Sequence, residues 1–256
     1  MTAAMAAISL AVLLTGCDTD DGNDTSATGN LLREYQPRYE AVRGVLDGFA
    51  SRVPEASPTA PVCDRQVAPA FDLAGGARLG DPGNTELVMA DQLATPEEAL
   101  RAEASPADYT RFSVTPGYLT HGLGVSRLSS SMSPGELANF LGYSGSAAMV
   151  NAQDQPTRLK LLLDAGLGVR YLVAVRTVRY EPATPRPSGS VTVDAYVLDL
   201  AKGDIPCRFQ ATGASPGVMV YEQSRPGDLT QLVYEDIQNH LGIAVDDVLT
   251  RFNGQR

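Results

Sequence analysis

From Leu32 onward the apolar residues fall at Leu32, Tyr35, Tyr39, Val42, Leu46, Phe49 and Val53, in unbroken steps of three and four. That spacing puts them on one face of a helix and predicts a helix over 31–53. The stripe covers only about three heptads, and Tyr and Phe are poor seam residues, so it reads as a helix lying on its own domain rather than a coiled-coil dimer. The stretch VPEASPTAPVCD follows, and its prolines predict an extended connector. The region from Phe71 to Gly145 is rich in glycine and carries little periodicity. Two helix starts stand out in it: Thr95-Pro96-Glu97-Glu98, a capping box with proline at the first helical position, predicting a helix to about Ala104, and Ser133-Pro134-Gly135-Glu136 before LANFLG. A further helix should run from Pro156 to Gly166.

The pattern then changes to a period of two. Val169, Tyr171, Val173 and Val175 share one face of a strand, as do Val191, Val193, Ala195 and Val197, and then Ile205, Cys207, Phe209 and Ala211. The turn DLAKGD places Gly203 where a hairpin needs a left-handed residue. Pro206 marks the third strand as an edge. Leu229, Leu232, Val233, Ile237 and Leu241 return to helical spacing behind an Asp228/Gln231 cap, and a short last helix is expected from Val245 to Phe252. The predicted fold class is α+β. An antiparallel or mixed sheet is built around a three-strand meander at about 169–213, helices pack on it, and a long amphipathic helix precedes it. Residues 62–256 are read as a single globular domain.

At the N-terminus a short apolar run, Ala3 to Leu14, ends in Leu14-Thr15-Gly16-Cys17. A bilayer span needs about 20 apolar residues, so the run is too short to cross and has the size of a secretion-signal core. Leu14-Thr15-Gly16-Cys17 resembles the lipobox of bacterial lipoprotein precursors. No Lys or Arg precedes the apolar run, which departs from the usual pattern. The resemblance implies removal of a signal peptide at 1–16, lipidation of Cys17 through a diacylglycerol thioether and an acyl (palmitate-type) group, and a membrane anchor facing the periplasm or the exterior of the cell envelope. Asp18 slightly favours retention at the inner membrane, and the choice between the two membranes stays open. Residues 17–30, with Asp18, Asp20, Asp21 and Asp24 among Gly, Asn, Thr and Ser, have nothing to bury and read as a disordered acidic tether.

Net charge changes the list of partners. The chain carries −10, which argues against nucleic acid and against an electrostatic hold on anionic lipid. Lipid on Cys17 is then the membrane contact, and an envelope protein or cell-wall component is the expected partner. With Cys17 lipidated, Cys63 and Cys207 remain, either as a disulfide or as two buried thiols. The oxidising compartment favours the disulfide. Neither has a Cys or His neighbour at metal-ligand spacing, so no metal and no cofactor is expected.

Candidate chemistry is sparse. Gly142-Tyr143-Ser144-Gly145-Ser146 has serine where a nucleophile elbow needs glycine, and His121 and His240 are the only histidines. His121 lies in THGLGVS, read as a flexible stretch, and His240 near a helix C-terminus where a cation is favourable. Asp194 and Asp199 fall on opposite strand faces and form no carboxylate pair. No catalytic residue is assigned. One basic feature stands out: Arg170, Arg176, Arg179, Arg186 and Arg208 gather on the meander of an otherwise acidic chain, either as a solvated face or as a surface for an anion or a partner. The order of elements over 156–241, with Asp199, Gly203 and Asp204 in the hairpin turn, is similar to envelope lipoproteins of the curli-secretion and penicillin-binding-protein-activator type. That resemblance implies assembly or partner binding. Three readings follow: a non-enzymatic binding or assembly module, a periplasmic hydrolase with an unrecognised site, and a carrier of a small apolar ligand.

Overall fold

A computed structural model describes residues 22–67, 83–95, 108–115, 117–128, 155–182, 188–216 and 226–254. Helix α1 (Gly22–Ala50) is followed by β1 (Val62–Cys63), β2 (Thr85–Met89) with a 3₁₀ turn at Ala90–Leu93, α2 (Tyr118–Leu128), α3 (Gln155–Gly168), β3 (Tyr171–Glu181), β4 (Gly189–Asp199), β5 (Asp204–Ser215) and α4 (Pro226–Gly254). The strands form one five-stranded mixed sheet in the order β1-β5-β4-β3-β2. β2 runs parallel to β3, and every other neighbouring pair is antiparallel. The fold is α+β, as the change of periodicity predicts. No described helix is long and apolar enough to cross a membrane.

Helices cover both faces. On one, Leu32, Tyr35, Tyr39, Leu46 and Phe49 of α1 pack with Leu119 and Leu123 of α2 and Leu159, Leu162 and Leu163 of α3 against Leu172, Ala174 and Leu198 of the sheet. On the other, Val233, Ile237, Leu241, Val245 and Leu249 of α4 cover Val173, Val175, Val193, Val197 and Phe209. The predicted α1 stripe is therefore core, not a dimer seam. α4 and β5 approach so closely that a Cβ on Gly213 would lie 2.5 Å from the carbonyl oxygen of Ile237 and 2.6 Å from the amide nitrogen of Leu241. Gly203 takes φ +67° in the β4–β5 turn, where the amides of Lys202 and Gly203 bond the carbonyl of Asp199.

Several expectations are corrected. The acidic segment is not disordered throughout: 22–30 is helical, because a helix anchored by a buried face from Leu32 extends at the gain of one hydrogen bond per residue added. That helix ends at Ala50, leaving Val53 beyond it, and passes through Pro37 on its exposed side, where water can meet the carbonyl that loses its donor. The two expected C-terminal helices are one. The stripe Val233-Ile237-Leu241-Val245-Leu249 keeps a spacing of four across Gly242, so burial outweighs the roughly 1 kcal/mol intrinsic penalty of glycine. His121 sits within α2, buried, not in a flexible stretch. β5 is not an edge at Pro206, since β1 pairs beside it. The parallel strand β2, from the poorly patterned middle of the chain, is an addition. The helices expected at 96–104 and after Ser133, Ser144 and Arg186, and the lipobox with Cys17 lie outside the described residues.

Candidate functional site

The face of the sheet turned away from α4 changes character along its length. The register aligns Leu172 with Leu198, then Ala174, Tyr196 and Arg208, then Arg176, Asp194 and Gln210, then Arg179, Thr192 and Thr212. Side chains in register on neighbouring strands share a face, so an apolar half beneath α1–α3 gives way to a polar half. The proline connector crosses the boundary. Arg176 donates to the carbonyl of Pro54 at 2.9 Å, Tyr196 donates to the same carbonyl at 3.2 Å, and Ser57 donates to Asp194 at 2.8 Å.

Asp194 lies at the centre and is 0% exposed. Besides Ser57 it accepts from Arg176 at 2.8 Å and from Gln210 at 3.0 Å. Burial works to raise its pKa, but these three donors outweigh it and hold the carboxyl below its ordinary range. A carboxylate so saturated is a poor base or nucleophile. Its chemistry is that of a clamp, tying the connector to β3, β4 and β5.

The connector then enters the sheet as β1. Cys63 stands opposite Cys207 with Cα atoms 4.1 Å apart and is bonded to it across a sequence separation of 144. The amide of Asp64 donates to the carbonyl of Pro206 at 2.8 Å. Proline returns no N–H to β1 at that position, so the pairing is one-sided there, and β1 is only two residues long.

Of the arginines singled out from the sequence, the fold brings Arg176, Arg179 and Arg208 onto one face and leaves Arg170 at the other end of β3. Arg170 lies over the Tyr171 ring, 3.7 Å from the buried Asp199, which Arg65 also meets at 2.7 Å. Two of these arginines are already engaged. Arg176 is committed to Asp194 and the connector, and Arg179 pairs with Glu181 at 2.5 Å. A fixed charge so close cancels most of what a distant anion would feel. Arg208 is exposed and makes no hydrogen bond or ion pair among the described residues. Around it stand the exposed Gln210 and Thr212 and the half-exposed Thr192, whose hydroxyl is 3.1 Å from that of Thr212.

A second polar centre went unread in the sequence. Glu86 of β2 is buried and accepts from the amides of Gly117, Leu119 and Thr120 at 3.2, 2.7 and 3.2 Å and from the Thr120 hydroxyl at 2.5 Å. It caps the N-terminus of α2 from another element. Burial pushes its pKa up, against the donors from Thr120 and Leu119. Its one signal was an acid inside the short apolar run TELVM. Asp194 gave the same signal inside VTVDAYV. The space nearby, between Leu46, Val88, Leu119, Leu123 and Leu172, is about 10 Å³, room for one water. An apolar ligand of the usual kind needs roughly 300 Å³ or more. His240 bonds within α4, to the carbonyl of Asp236 at 2.9 Å and its carboxylate at 3.2 Å. No protein-family model, curated protein or solved structure matches the chain.

Proposed function

We propose that this chain is a lipid-anchored protein of the bacterial cell envelope, acylated at Cys17, that works by binding an envelope protein or cell-wall component rather than by catalysis. The observation that carries the binding reading is the contrast within one sheet. Asp194 and Glu86 are each saturated by donors of the fold. The polar half that carries Arg208, Gln210, Thr192 and Thr212 reaches solvent on strands backed by α4. A rigid, solvent-facing polar surface suits recognition. The anchor rests on Leu14-Thr15-Gly16-Cys17, and two or more acyl chains hold a protein stably where one does not.

Two measurements test the reading. Cys17→Ser should lose incorporation of labelled palmitate and move from the membrane pellet to the soluble fraction. If it still sediments after a high-salt wash, the anchor is not lipid on Cys17. A photocrosslinking residue at Thr192 should give a discrete adduct in intact cells, while the same residue at the exposed Glu235 of α4 gives none. Equal labelling at both positions removes the sheet face as the binding surface.

A further inference from the structure

The outer edge of β5 is only partly occupied. β1 meets β5 at Cys207 and Arg208, and the Asp64 amide reaches the Pro206 carbonyl. In an antiparallel pair, alternate residues turn both backbone groups toward the same neighbour. Pro206 and Arg208 face β1, so Gln210, Thr212 and Ala214 direct their N–H and C=O groups to that same outer side. β5 continues to Ser215, seven residues past the last β1 pairing. No described residue pairs with that edge, and Gln210, Thr212 and Ala214 are exposed. The window is short and in line with β1. The chain itself demonstrates that this edge accepts an extended segment.

The side chains flanking the window narrow the occupant. Of the acids on this face, Glu181 and Asp194 are paired to Arg179 and Arg176, the exposed Glu55 of the connector lies near Arg176, and the exposed Asp64, opposite Pro206, makes no ion pair with Arg208. The window shows Arg208, Gln210, Thr212 and Ala214, a single unpaired positive charge with no exposed acid among them. A second copy of the chain would bring another −10 of net charge and, paired about Thr212, would place no acid of β5 near Arg208. We propose that the β5 edge from Gln210 to Ala214 binds an extended peptide segment of a partner by strand addition, with a carboxylate side chain of the segment opposite Gln210 reaching diagonally to Arg208. Diagonal neighbours on a sheet are about 7–8 Å apart at the backbone, within reach of Arg and Glu side chains. Main-chain bonds to residues 210, 212 and 214 supply the affinity, and the Arg208 contact selects an acidic segment. This rests on the reading of the chain as a binding module and names the chemistry of its partner.

The test uses the full chain carrying Cys17→Ser and the probe acetyl-Thr-Val-Thr-Val-Glu-amide, whose five residues lie antiparallel across 214 to 210 beyond β1 and put the Glu opposite Gln210. Hydrogen exchange followed by NMR should show the amides of Gln210, Thr212 and Ala214 slowed by the peptide. The same peptide N-methylated at alternate residues should give no protection. Thr212→Pro removes an outward N–H, as Pro206 already does three outward positions along the strand, together with the exposed hydroxyl contact to Thr192, and should weaken binding about tenfold or more. Arg208→Glu should weaken the Glu peptide about tenfold and prefer the same peptide with Lys in place of Glu. The proposal is overturned if those amides exchange slowly in the free monomer, if they become protected with protein concentration alone (a second copy), if the N-methylated peptide binds equally well, or if no binding is seen at about 1 mM peptide. Failure here with the Thr192 adduct retained removes strand addition and leaves the binding face. Loss of both removes the face as well.

Discussion

The bond between Cys63 and Cys207 offers the most direct check on how the connector and α1 are held. Replacing both cysteines by alanine opens a loop with a sequence separation of 144. In the chain-entropy model that restores about 5 kcal/mol of freedom to the unfolded chain, an upper figure because residual denatured structure reduces it. In the folded state little should move. Leu46 and Phe49 at the end of α1 are 1% and 0% exposed, and Pro54 and Ser57 stay bonded to Arg176, Tyr196 and Asp194. The effect should therefore fall on the denatured state. For a domain this size, about 3–5 kcal/mol corresponds to a urea midpoint lower by roughly 1–2 M, with a steeper slope as the unfolded chain expands. Amide spectra of the native state should change only near β1, where exchange at positions 63 and 64 quickens. A midpoint shift below about 0.3 M at unchanged slope would refute the entropic account. So would loss of native signals from α1, since the bond would then be holding the helix in place.

Three other perturbations follow from the packing. Gly213→Ala drives a Cβ into the backbone of α4 at Ile237 and Leu241 and should cost about 1–3 kcal/mol in urea unfolding, and an unchanged midpoint would mean that α4 does not lie so close. Phe49→Ala, at a fully buried site, should cost about 3–5 kcal/mol, measured in the same way, whereas a helix that did not join the core would show almost none. Asp194→Asn tests the clamp through pH. The folded pKa of Asp194 lies below its unfolded value, with burial opposing and Arg176, Gln210 and Ser57 prevailing, so the carboxylate contributes stability above about pH 4 that is lost as pH falls through the folded pKa. The stability gap between wild type and Asp194→Asn should be full at about pH 6 and shrink toward about pH 3, and a gap constant over that range would sink the assignment.

Periodicity made much of the fold legible. Alternation in GVRYLVAVRTVRY, SVTVDAYVLDL and DIPCRFQAT marks β3, β4 and β5, though β3 begins only at Tyr171, β4 is displaced by one residue and β5 runs on to Ser215. The stripe from Leu32 to Phe49 marks the buried face of α1, and Gly203 marks the hairpin. These features are local: a repeat of two or of three and four records which side of an element faces away from water, whatever it packs against. The candidate site was legible only in its ingredients. Arg176, Arg179 and Arg208 were visible as charges. That Arg176 is spent on Asp194 and on a proline connector more than a hundred residues earlier in the chain is a consequence of register.

Several features belong to the tertiary structure alone. β2 gains its identity by lying parallel to β3, and Glu86 gains its role by meeting the first amides of α2 from a different element. The continuity of α4 through Gly242 is decided by the sheet beneath it, and β5 changes from an edge to a partly covered strand because β1 arrives from 144 residues away. The sequence by itself determines the elements and their buried faces, because burial imprints a short-range period on the chain. Which strand lies beside which, which charge is neutralised, and which edge is left open depend on contacts between segments far apart in sequence, which leave no such period and are settled only when the faces pack.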